Sequence, residues 1–390
     1  MKFVVKYYIV GTLVIITSGW ICACSQQNKT EDWSESLMNY VIEMYMPAEK
    51  YVWNWNEAVF LKAMVNRCEH CHSSAGECLT YIKKAVNSTW ADINGHHPNA
   101  VISGVALAYL ASLTCDSNYW NEALKIYEQY THIPRATNGG VSHRMEVVEL
   151  WDDTVYMVGE FLLQMYKLTK DEKYLSEAIL QLKKHAEKLE DIDTGLWYHG
   201  WDNDTIPSND PCSTPGWAEN PERRSSEFWG RGNGWITMML SDLLEYTPQN
   251  HPYYIYLRNS FQKMMETLCL LQDGNTGHWY QLPVYPRETG NYLESSCTAM
   301  FAYSMAKGIR LGLLSAEHYM PIVDKAYKGL ERFSLQPIDG GYMKMKNICT
   351  GTCIGDKAYY YNREVVEEQA YAFGLFIMFA DEYKLVVGHK

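Results

Sequence analysis

Apolar residues recur every three to four positions through most of the chain beyond residue 30, which is the period of an amphipathic helix. One clear stripe runs from Val155 to Leu168, where Val, Phe, Leu and Met occupy the apolar positions. The charged residues 170–173 then interrupt it, and a second stripe continues to Leu189. Asp171 stands where the N-cap of this second helix is expected. The pattern therefore predicts two helices joined by a short turn.

The same pattern of two helices joined by a short turn, a helical hairpin, occurs at three other places. The polar breaks fall at Asp116, Asn250 and Ala316, so the four breaks lie 55 to 79 residues apart. Helical hairpins that recur at such an irregular period indicate an α-helical repeat or toroid. The predicted helices are 101–113 and 119–130, 235–246 and 251–269, 299–314 and 318–333, and a last long helix from Glu364 to Tyr383.

Alternating patterns typical of strands are confined to short pieces near residues 195–198 and 277–281. The economical fold is an all-α barrel of six helical hairpins, forming one domain over residues 35–390. The inner helices of such a barrel surround a cavity, and the loops at one rim carry the chemistry. Long structured loops are usually functional, and the candidates, rich in Gly, Pro and aromatic residues, are 130–147, 195–228, 274–294 and 336–363.

Composition narrows the class of protein. Hydrophobic residues make up 47% of the 390 residues and charged residues 21%, which excludes a disordered chain. The net charge of -12 argues against nucleic acid or an anionic membrane surface as a partner, because both select clustered Lys and Arg. The 13 Trp and 30 Tyr, against 10 Phe, favour stacking on sugar rings, although large helical cores also collect these residues.

The first residues predict an export signal. Two lysines precede an apolar run that is too short to span a membrane. The run closes with Ile21-Cys22-Ala23-Cys24, which resembles a bacterial lipoprotein cleavage box. We therefore expect a signal peptide over residues 1–23, a lipid-bearing Cys24 and a polar linker over 24–34, with ordinary signal cleavage as the alternative. One lipidated cysteine anchors a protein to a membrane without embedding it. Cleavage removes both lysines and no acid, which changes the net charge from -12 to -14.

Export would place the other nine cysteines in an oxidising compartment, where disulfides persist. Cys349 and Cys353 are four apart in a Gly/Thr loop and could form a bridge. Cys68, Cys71 and Cys78 are crowded enough for one more pair. Because nine is odd, at least one thiol should stay free.

The segment Cys68-Glu69-His70-Cys71-His72 also fits the Cys-x-x-Cys-His pattern of covalent haem attachment. A haem protein would further need a distal ligand and a haem-sized apolar pocket, and the sequence indicates neither. We favour a disulfide or free thiols near a helix end, with a haem electron carrier as the alternative.

Two adjacent acids, Asp152 and Asp153, stand at the start of a predicted helix. An acid at a helix N-terminus is favoured by the dipole and by capping, so a structural role is one interpretation. Successive residues project about 100° apart on a helix, so if one acid caps or faces solvent the other can face the cavity. The common nucleophile, zinc and phosphate-loop motifs are missing from the sequence, and no metal cluster has convincing spacing. We expect neither a metal nor a cofactor.

These acids belong to a set of motifs that resembles glycoside hydrolase family 105, the unsaturated rhamnogalacturonyl hydrolases, and more distantly the unsaturated glucuronyl hydrolases. The motifs occur in family order and cover roughly residues 35–385. The segment at 229–235 is the most specific. The motifs are Trp151-Asp152-Asp153-Thr154-Val155-Tyr156-Met157, Trp197-Tyr198-His199-Gly200-Trp201-Asp202, Phe228-Trp229-Gly230-Arg231-Gly232-Asn233-Gly234-Trp235, Gly277-His278-Trp279-Tyr280-Gln281 and Leu293-Glu294-Ser295-Ser296.

The resemblance implies an (α/α)6 barrel that removes a 4,5-unsaturated uronic acid from the end of lyase-generated oligosaccharides. In this family one Asp protonates C4 of the enol ether and activates water for attack at C5, so the distance rule for two carboxyl groups does not apply. The family pattern places the catalytic Asp two residues after the Trp, which implies Asp153. Asp152 occupies a position that is usually not acidic.

The resemblance also implies the substrate-binding residues. Arg231 offers a planar fork suited to a uronate carboxylate, and the tryptophans offer stacking faces. The family often has an acid in the second hairpin, and either Asp92 or Asn94 takes its place here. The implied substrate-binding residues are His143, Trp151, Met157, His199, Trp201, Trp229, Arg231 and Trp235.

The sequence thus predicts an exported, lipid-anchored hydrolase in the bacterial cell envelope, on its periplasmic or surface face. Its expected partner is an unsaturated oligosaccharide ending in galacturonate linked to rhamnose, and we expect a monomer. An unsaturated glucuronyl end from glycosaminoglycans or algal polysaccharides is the enzymatic alternative. A glycan-binding lipoprotein that has lost catalysis is another, against which the intact Asp153 and Arg231 argue.

Overall fold

A computed structural model describes residues 32–70, 72–204 and 212–388. The predicted signal peptide over residues 1–23 and the lipid-bearing Cys24 lie outside these residues. From Trp33 onward the chain forms one compact unit. Within the described ranges, no helix combines the length and the apolar character needed to cross a membrane.

The α-helices are α1 (Trp33–Tyr40), α2 (Trp55–Glu69), α3 (Ala75–Ser88), α4 (Pro98–Val101), α5 (Gly104–Thr114), α6 (Ser117–Thr131), α7 (Asp152–Thr169), α8 (Glu172–Leu189), α9 (Gly230–Tyr246), α10 (Tyr254–Leu270), α11 (Ser295–Arg310), α12 (Ala316–Gly329), α13 (Lys357–Tyr361) and α14 (Ala370–Gly388).

The long helices form two concentric rings. In the described part of the chain, six of them make the inner ring in the order α2, α5, α7, α9, α11 and α14, and α14 closes the ring by packing on α2. The outer helices α3, α6, α8, α10 and α12 each pack on the inner helix that precedes them, and α1 packs on α14. The predicted (α/α)6 barrel is confirmed.

Caps and burial explain why the hairpins form where the pattern places them. Asp116 and Asp171 each cap an outer helix, accepting from the N–H of Asn118 (2.8 Å) and of Lys173 (3.1 Å). The outer helix α8 has one buried stripe, whereas the inner helices α9 and α14 bury most of their side chains. Inner helices have neighbours on every side, so a one-sided apolar stripe does not suffice for them.

Most inner helices begin at one rim. The chain enters α7, α9, α11 and α14 from long loops and leaves α7, α9 and α11 by short turns into their outer partners. The N-terminal ends of these inner helices, with their positive dipole ends, therefore face the same loops.

Short antiparallel ribbons lie within the long loops. They are β1 (Glu149–Trp151) with β2 (Gly200–Asp202), β3 (Trp279–Tyr280) with β4 (Leu293–Glu294), β5 (Leu335–Ile338) with β6 (Tyr342–Met345), and β7 (Ile348–Cys349) with β8 (Val365–Val366). The strand predicted near 277–281 is confirmed as β3. Residues 195–198 only precede β2, so that prediction was displaced. The 336–363 loop contains most of the β5–β6 hairpin, β7 and α13, none of which the pattern predicted.

The predicted start of the last helix was wrong. The helix begins at Ala370 and not at Glu364, because Val365 and Val366 pair with Cys349 and Ile348. Pairing as a strand satisfies the backbone groups that a helix would otherwise have satisfied.

A disulfide joins Cys212 to Cys353, 141 residues apart in the sequence. The suggested Cys349–Cys353 bridge is therefore wrong. Cys349 belongs to strand β7 and its buried sulfur accepts from Gln281 Nε2 at 3.1 Å, whereas Cys353 faces the loop of Cys212. The pair suggested among Cys68, Cys71 and Cys78 is not formed through Cys68 or Cys78, which are both free, and Cys71 lies outside the described residues. The free thiols among the described residues are Cys68, Cys78, Cys115, Cys269, Cys297 and Cys349.

The haem-like segment is described except for Cys71. Both ring nitrogens of His72 face polar partners: Nδ1 lies 3.0 Å from Ser74 Oγ and Nε2 lies 3.7 Å from Asp381 Oδ1. A haem ligand would need one of these nitrogens directed at iron. The contacts support a structural role for His72 near the end of α2.

Buried charges connect four inner helices in the half of the barrel away from the rim. Lys62 Nζ lies 3.1 Å from Glu160 Oε2, and Lys307 pairs with Asp242 and with Glu245, the latter at 2.6 Å. Burial raises the pKa of Glu160 to about 8; Lys62 opposes this shift and Asp242 adds to it. We call this cluster the buried ion network. Its net charge depends on whether Glu160 is protonated.

Candidate active site

Asp152 and Asp153 open helix α7 at the rim. The N-cap position is held by Trp151 in an extended conformation, and no side chain caps the helix there. The capping interpretation of the acids was therefore wrong. The N–H of Asp152 donates to the carbonyl of His199 at 3.0 Å, next to the paired strands β1 and β2. This backbone pairing brings the His199 ring beside both acids.

Asp153, His199 and Tyr360 form a chain of hydrogen bonds. His199 Nε2 lies 3.2 Å from Asp153 Oδ2, and Nδ1 lies 2.8 Å from the Tyr360 hydroxyl. Burial raises the pKa of Tyr360, so the phenol keeps its proton. Because the Asp153 carboxylate can only accept from Nε2, the Nδ1 atom of a neutral ring accepts from the Tyr360 hydroxyl. The ring proton of a neutral His199 is then assigned to Nε2, facing Asp153. Burial also lowers the pKa of His199, against the attraction of Asp153, which favours this neutral form.

Asp153 is the accessible member of the acid pair. Its side chain is 15% exposed, whereas that of Asp152 is fully buried. Burial by itself would raise the pKa of Asp153, but the hydrogen bonds from His199 and from Asp152 outweigh it and lower the pKa. Asp153 is therefore ionised at neutral pH and can accept a proton.

Asp152 is enclosed against helix α9. A Cβ added at Gly232 would lie 2.1 Å from Asp152 Oδ2, so the carboxyl group packs on a backbone that only glycine can present. Burial, together with the negative charge of Asp153, raises the pKa of Asp152 well above its ordinary value. The two neighbouring acids thus hold different charge states, Asp152 protonated and Asp153 ionised.

His143 and Trp151 form a wall beside Asp153. Their rings are stacked 4.4 Å apart at an angle of 5°. His143 Nδ1 lies 2.8 Å from Thr154 Oγ1, and Trp151 Nε1 donates to Glu149 Oε2 at 2.8 Å. Burial lowers the pKa of His143 well below its ordinary value, although Asp153 opposes this. The wall is therefore neutral and fixed in orientation.

The second hairpin contributes Asn99 to this wall, and not Asp92 or Asn94. Asn99 Nδ2 lies 3.5 Å from His143 Nε2. Asp92 is exposed, and Asn94 donates to the carbonyl of Asp92 at 3.3 Å. An amide, and not an acid, is the group that this hairpin directs at the site.

Trp229 and Arg231 form the opposite wall at the start of α9. The Trp229 ring lies 4.4 Å from the His199 ring, and the Arg231 guanidinium lies 4.5 Å from the Trp229 ring. Arg231 is 1% exposed and donates to the carbonyls of Cys349 (2.9 Å) and Thr350 (2.8 Å). Arg231 thus ties the 349–352 loop to the barrel, and its contact with a substrate carboxylate stays a prediction.

Three of the predicted substrate-binding residues lie apart from these walls. Met157 is 1% exposed and packs in the hydrophobic core, and Trp235 is fully buried 4.8 Å from the Tyr156 ring. The Trp201 ring has Lys188 Nζ at 4.5 Å. Their motif positions are matched, but the contacts described here are those of packing residues.

Besides Asn99, two further site residues were not anticipated. Tyr360 belongs to a run of three tyrosines in a loop that the sequence marked as functional, which was the one available signal. Arg144 follows His143 directly, and its guanidinium lies 4.5 Å from the Trp151 ring and 3.2 Å from Cys212 Sγ. It supplies a half-buried positive charge beside the disulfide.

The same side chains resemble a metal-binding set. Ligand atoms of Asp152, Asp153 and His199 all lie within 4.8 Å of one another. As arranged, however, the His199 nitrogen that faces the acids carries a proton, and Asp152 is neutral. In this arrangement the three groups form a hydrogen-bonded set of the kind that acid–base chemistry uses.

A second such group lies far from this rim chemistry. It consists of Asp32, Glu35 and His72. The Arg67 guanidinium lies 3.2 Å from Glu35 and places a positive charge beside that group. A further cation would be repelled there.

An ionised carboxylate beside a protonated one, between aromatic walls at the rim of an (α/α)6 barrel, is an arrangement suited to a glycoside hydrolase. A family model described as Glycosyl Hydrolase Family 88 matches residues 29–386. The chain therefore belongs to that family, and the resemblance found in the sequence is confirmed.

Known relatives agree with this assignment. The chain is 27% identical over 271 residues to an unsaturated rhamnogalacturonyl hydrolase, YesR, of Bacillus subtilis, an alignment that covers 67% of this chain and 72% of YesR. A family 105 glycoside hydrolase of C. acetobutylicum superposes with a TM-score of 0.79 at 24% identity over 91% of this chain and all of that one. The unsaturated glucuronyl hydrolase of Bacillus sp. GL1 superposes with a TM-score of 0.66 at 12% identity, covering 90% and 95% of the two chains.

Proposed function

We propose that this enzyme removes a 4,5-unsaturated uronic acid from the end of oligosaccharides that polysaccharide lyases release. The observation that carries the proposal is Asp153, ionised and accessible, held by His199 between two aromatic walls. The relative YesR is named as an unsaturated rhamnogalacturonyl hydrolase, which supports galacturonate linked to rhamnose as the substrate.

The proposed reaction is hydration of the enol ether. Asp153 delivers a proton to C4, and water then adds to C5 as Asp153 takes up a proton from it. The resulting hemiketal opens and frees the remaining sugar. The neutral His199, fixed by Tyr360, holds the Asp153 carboxylate in place throughout.

The test is to incubate the purified enzyme with lyase digests of rhamnogalacturonan and to follow the loss of the absorbance of the conjugated enol ether. Asp153→Asn should keep its melting temperature and lose at least about 100-fold in kcat, the usual contribution of a general acid or base. The surface variant Asp193→Asn is the matched control and should keep full activity. Turnover near normal in Asp153→Asn would refute the assignment.

A glucuronyl substrate is the second candidate, because the glucuronyl hydrolase of Bacillus sp. GL1 has the same fold. Digests of glycosaminoglycans and of algal polysaccharides, assayed in parallel, separate the two. A higher kcat/KM on a glucuronyl end would replace the galacturonate proposal while leaving the reaction unchanged.

We further propose that the enzyme is exported and anchored by lipid at Cys24, as a monomer in the cell envelope. The Cys212–Cys353 disulfide supports an oxidising location. Expressed from its full sequence, wild-type protein should fractionate with membranes and Cys24→Ala with the soluble fraction. Membrane retention of Cys24→Ala would count against the anchor.

A further inference from the structure

Asp152 is a buried acid for which the proposed reaction has no use. It is fully buried, it stands next to the proposed catalytic residue, and a glycine on α9 is packed against its oxygen atoms. A lone buried carboxyl group is costly in a protein interior, so its presence at this position calls for a compensating role.

The donors near Asp152 are the backbone N–H of Asp153 and His199 Nε2, and neither forms a well-aligned hydrogen bond with it. Among the residues that the structure describes, neither of its carboxyl oxygens has a hydrogen-bond partner. His199 Nε2, which donates to Asp153, is 3.9 Å from Asp152 Oδ1. One carboxyl oxygen of Asp153 lies within 4.8 Å of one carboxyl oxygen of Asp152. Two carboxylates both accept hydrogen bonds, so these oxygens can bond to each other only through a proton.

We propose that Asp152 and Asp153 share one proton, and that Asp152 stores the proton which Asp153 delivers to C4 of the substrate. Asp152 is thus a positioning residue that acts through Asp153. This inference rests on the proposed function and explains how an acid that is ionised at rest can begin the reaction by protonating carbon.

The proton is conserved through the cycle. The O–H bond of Asp152 breaks, its electron pair stays on Asp152, and a new O–H bond forms on Asp153. Asp153 then gives this proton to C4, where the electron pair of the C4=C5 bond forms the new C–H bond and leaves C5 electron-deficient. Water adds to C5 and loses a proton to Asp153, and that proton returns to Asp152. The net change is the addition of one water.

The charged and titratable groups around the pair favour a single proton. Asp152 faces Asp153 on its own helix, His199 before β2, Arg231 on α9 and Tyr360 on α13. Arg231 is the permanent cation among them, while His199 and Tyr360 stay neutral. Arg231 is shared with the buried Glu294, and Arg144 acts on His199 and His143, so a second negative charge on the buried pair would have no cation of its own. The raised pKa of Asp152 and the lowered pKa of Asp153 agree with a proton held on Asp152.

Asp152→Asn tests the proposal because the amide keeps the shape and a donor but cannot release a proton. The kcat/KM of Asp152→Asn should fall by about 100-fold at neutral pH. It should be retained only at acidic pH, where Asp153 itself becomes protonated. KM should change little. Glu160 is also protonated at neutral pH, so the infrared comparison uses a Glu160→Gln background. In that background the band of a protonated carboxylic acid should be present at neutral pH and should be lost when Asp152→Asn is added.

The outcomes separate the two proposals. Loss of activity in Asp153→Asn, combined with an unshifted pH profile in Asp152→Asn, would overturn the role of Asp152 alone. Retained activity in Asp153→Asn would overturn both. If Asp152→Asn does not fold, absence of the infrared band from Glu160→Gln still refutes the shared proton. So would a wild-type activity that a chelator abolishes and a divalent cation restores.

Discussion

At the scale of single residues, the site depends on a fixed tautomer of His199. The Tyr360 hydroxyl, 2.8 Å from Nδ1, holds the ring so that Nε2 faces Asp153. Without that donor the ring can turn or exchange its proton, and Asp153 loses the bond that orients it. The contact spans 161 residues of sequence, so only the folded chain reveals it.

Tyr360→Phe should therefore lower kcat by about tenfold, which corresponds to the roughly 1–2 kcal/mol of one buried hydrogen bond. The matched control is Tyr361→Phe, which removes a hydroxyl from the neighbouring residue and should leave kcat within about twofold. Steady-state kinetics at fixed pH measure both. Equal effects of the two changes would contradict the orienting role.

Arg231 makes a second residue-scale prediction. Arg231→Ala should lower the melting temperature by several degrees, because it leaves the buried carbonyls of Cys349 and Thr350 without their donor. KM should rise as well if the guanidinium also meets the substrate. Calorimetry measures the melting temperature and steady-state kinetics measures KM, both on the same preparation. A melting temperature equal to that of the wild type would show that the loop does not depend on these bonds.

The sequence predicts some of these residues and not others for a physical reason. Asp153, His199 and Trp229 lie in motifs whose spacing is local, so their positions follow from the chain itself. Asn99 and Tyr360 act through contacts between distant loops, and no local spacing records them. The disulfide of Cys212 is of the same kind: the nearest cysteine in sequence to Cys353 was the wrong partner.

At the scale of the helices, the inner ring contains two different environments. The N-terminal ends hold the site, and the opposite halves of α2, α7, α9 and α11 hold the buried ion network. Periodicity predicted α7, α9 and α11 because capping and the spacing of buried positions act locally, whereas it gave no range for α2. It did not indicate buried charges, since Lys62 and Glu160 pair only when α2 and α7 meet.

The buried ion network makes stability depend on pH. Because burial raises the pKa of Glu160 to about 8, the folded protein holds this proton more tightly than the unfolded chain. The contribution is complete below the ordinary pKa of a glutamate and is lost as pH rises through about 8. Relative to Glu160→Gln, the wild type should thus lose up to a few kcal/mol between about pH 5 and pH 8. Urea unfolding of both proteins across that range tests this, and parallel pH curves would contradict it.

At the scale of the molecule, the Cys212–Cys353 disulfide links two rim loops. Its second cysteine lies in the segment that supplies both the acceptors of Arg231 and the hydroxyl of Tyr360. In the entropic account, closing a loop of this length raises the free energy of the unfolded chain by about 4–5 kcal/mol, because it removes conformational entropy. The bond therefore stabilises the fold and holds the site together.

The double change Cys212→Ser with Cys353→Ser should lower the melting temperature and reduce kcat even well below that temperature. Cys115→Ser, which removes an exposed free thiol, is the control and should do neither. Assays with and without reductant on the wild type give the same comparison without mutation. Activity that is indifferent to both treatments would show that the loops keep their places unaided.

The closing contact of α14 with α2 has a consequence for how the molecule is made. Helix α14 buries most of its side chains between α2 and α11, which were synthesised long before it. While residues 370–388 are still inside the ribosome, the ring stays open along one seam and those two helices expose apolar faces. The barrel therefore cannot close until helix α14 has been released. Until then the nascent chain stays incompletely folded, a state in which it can still pass through a narrow channel.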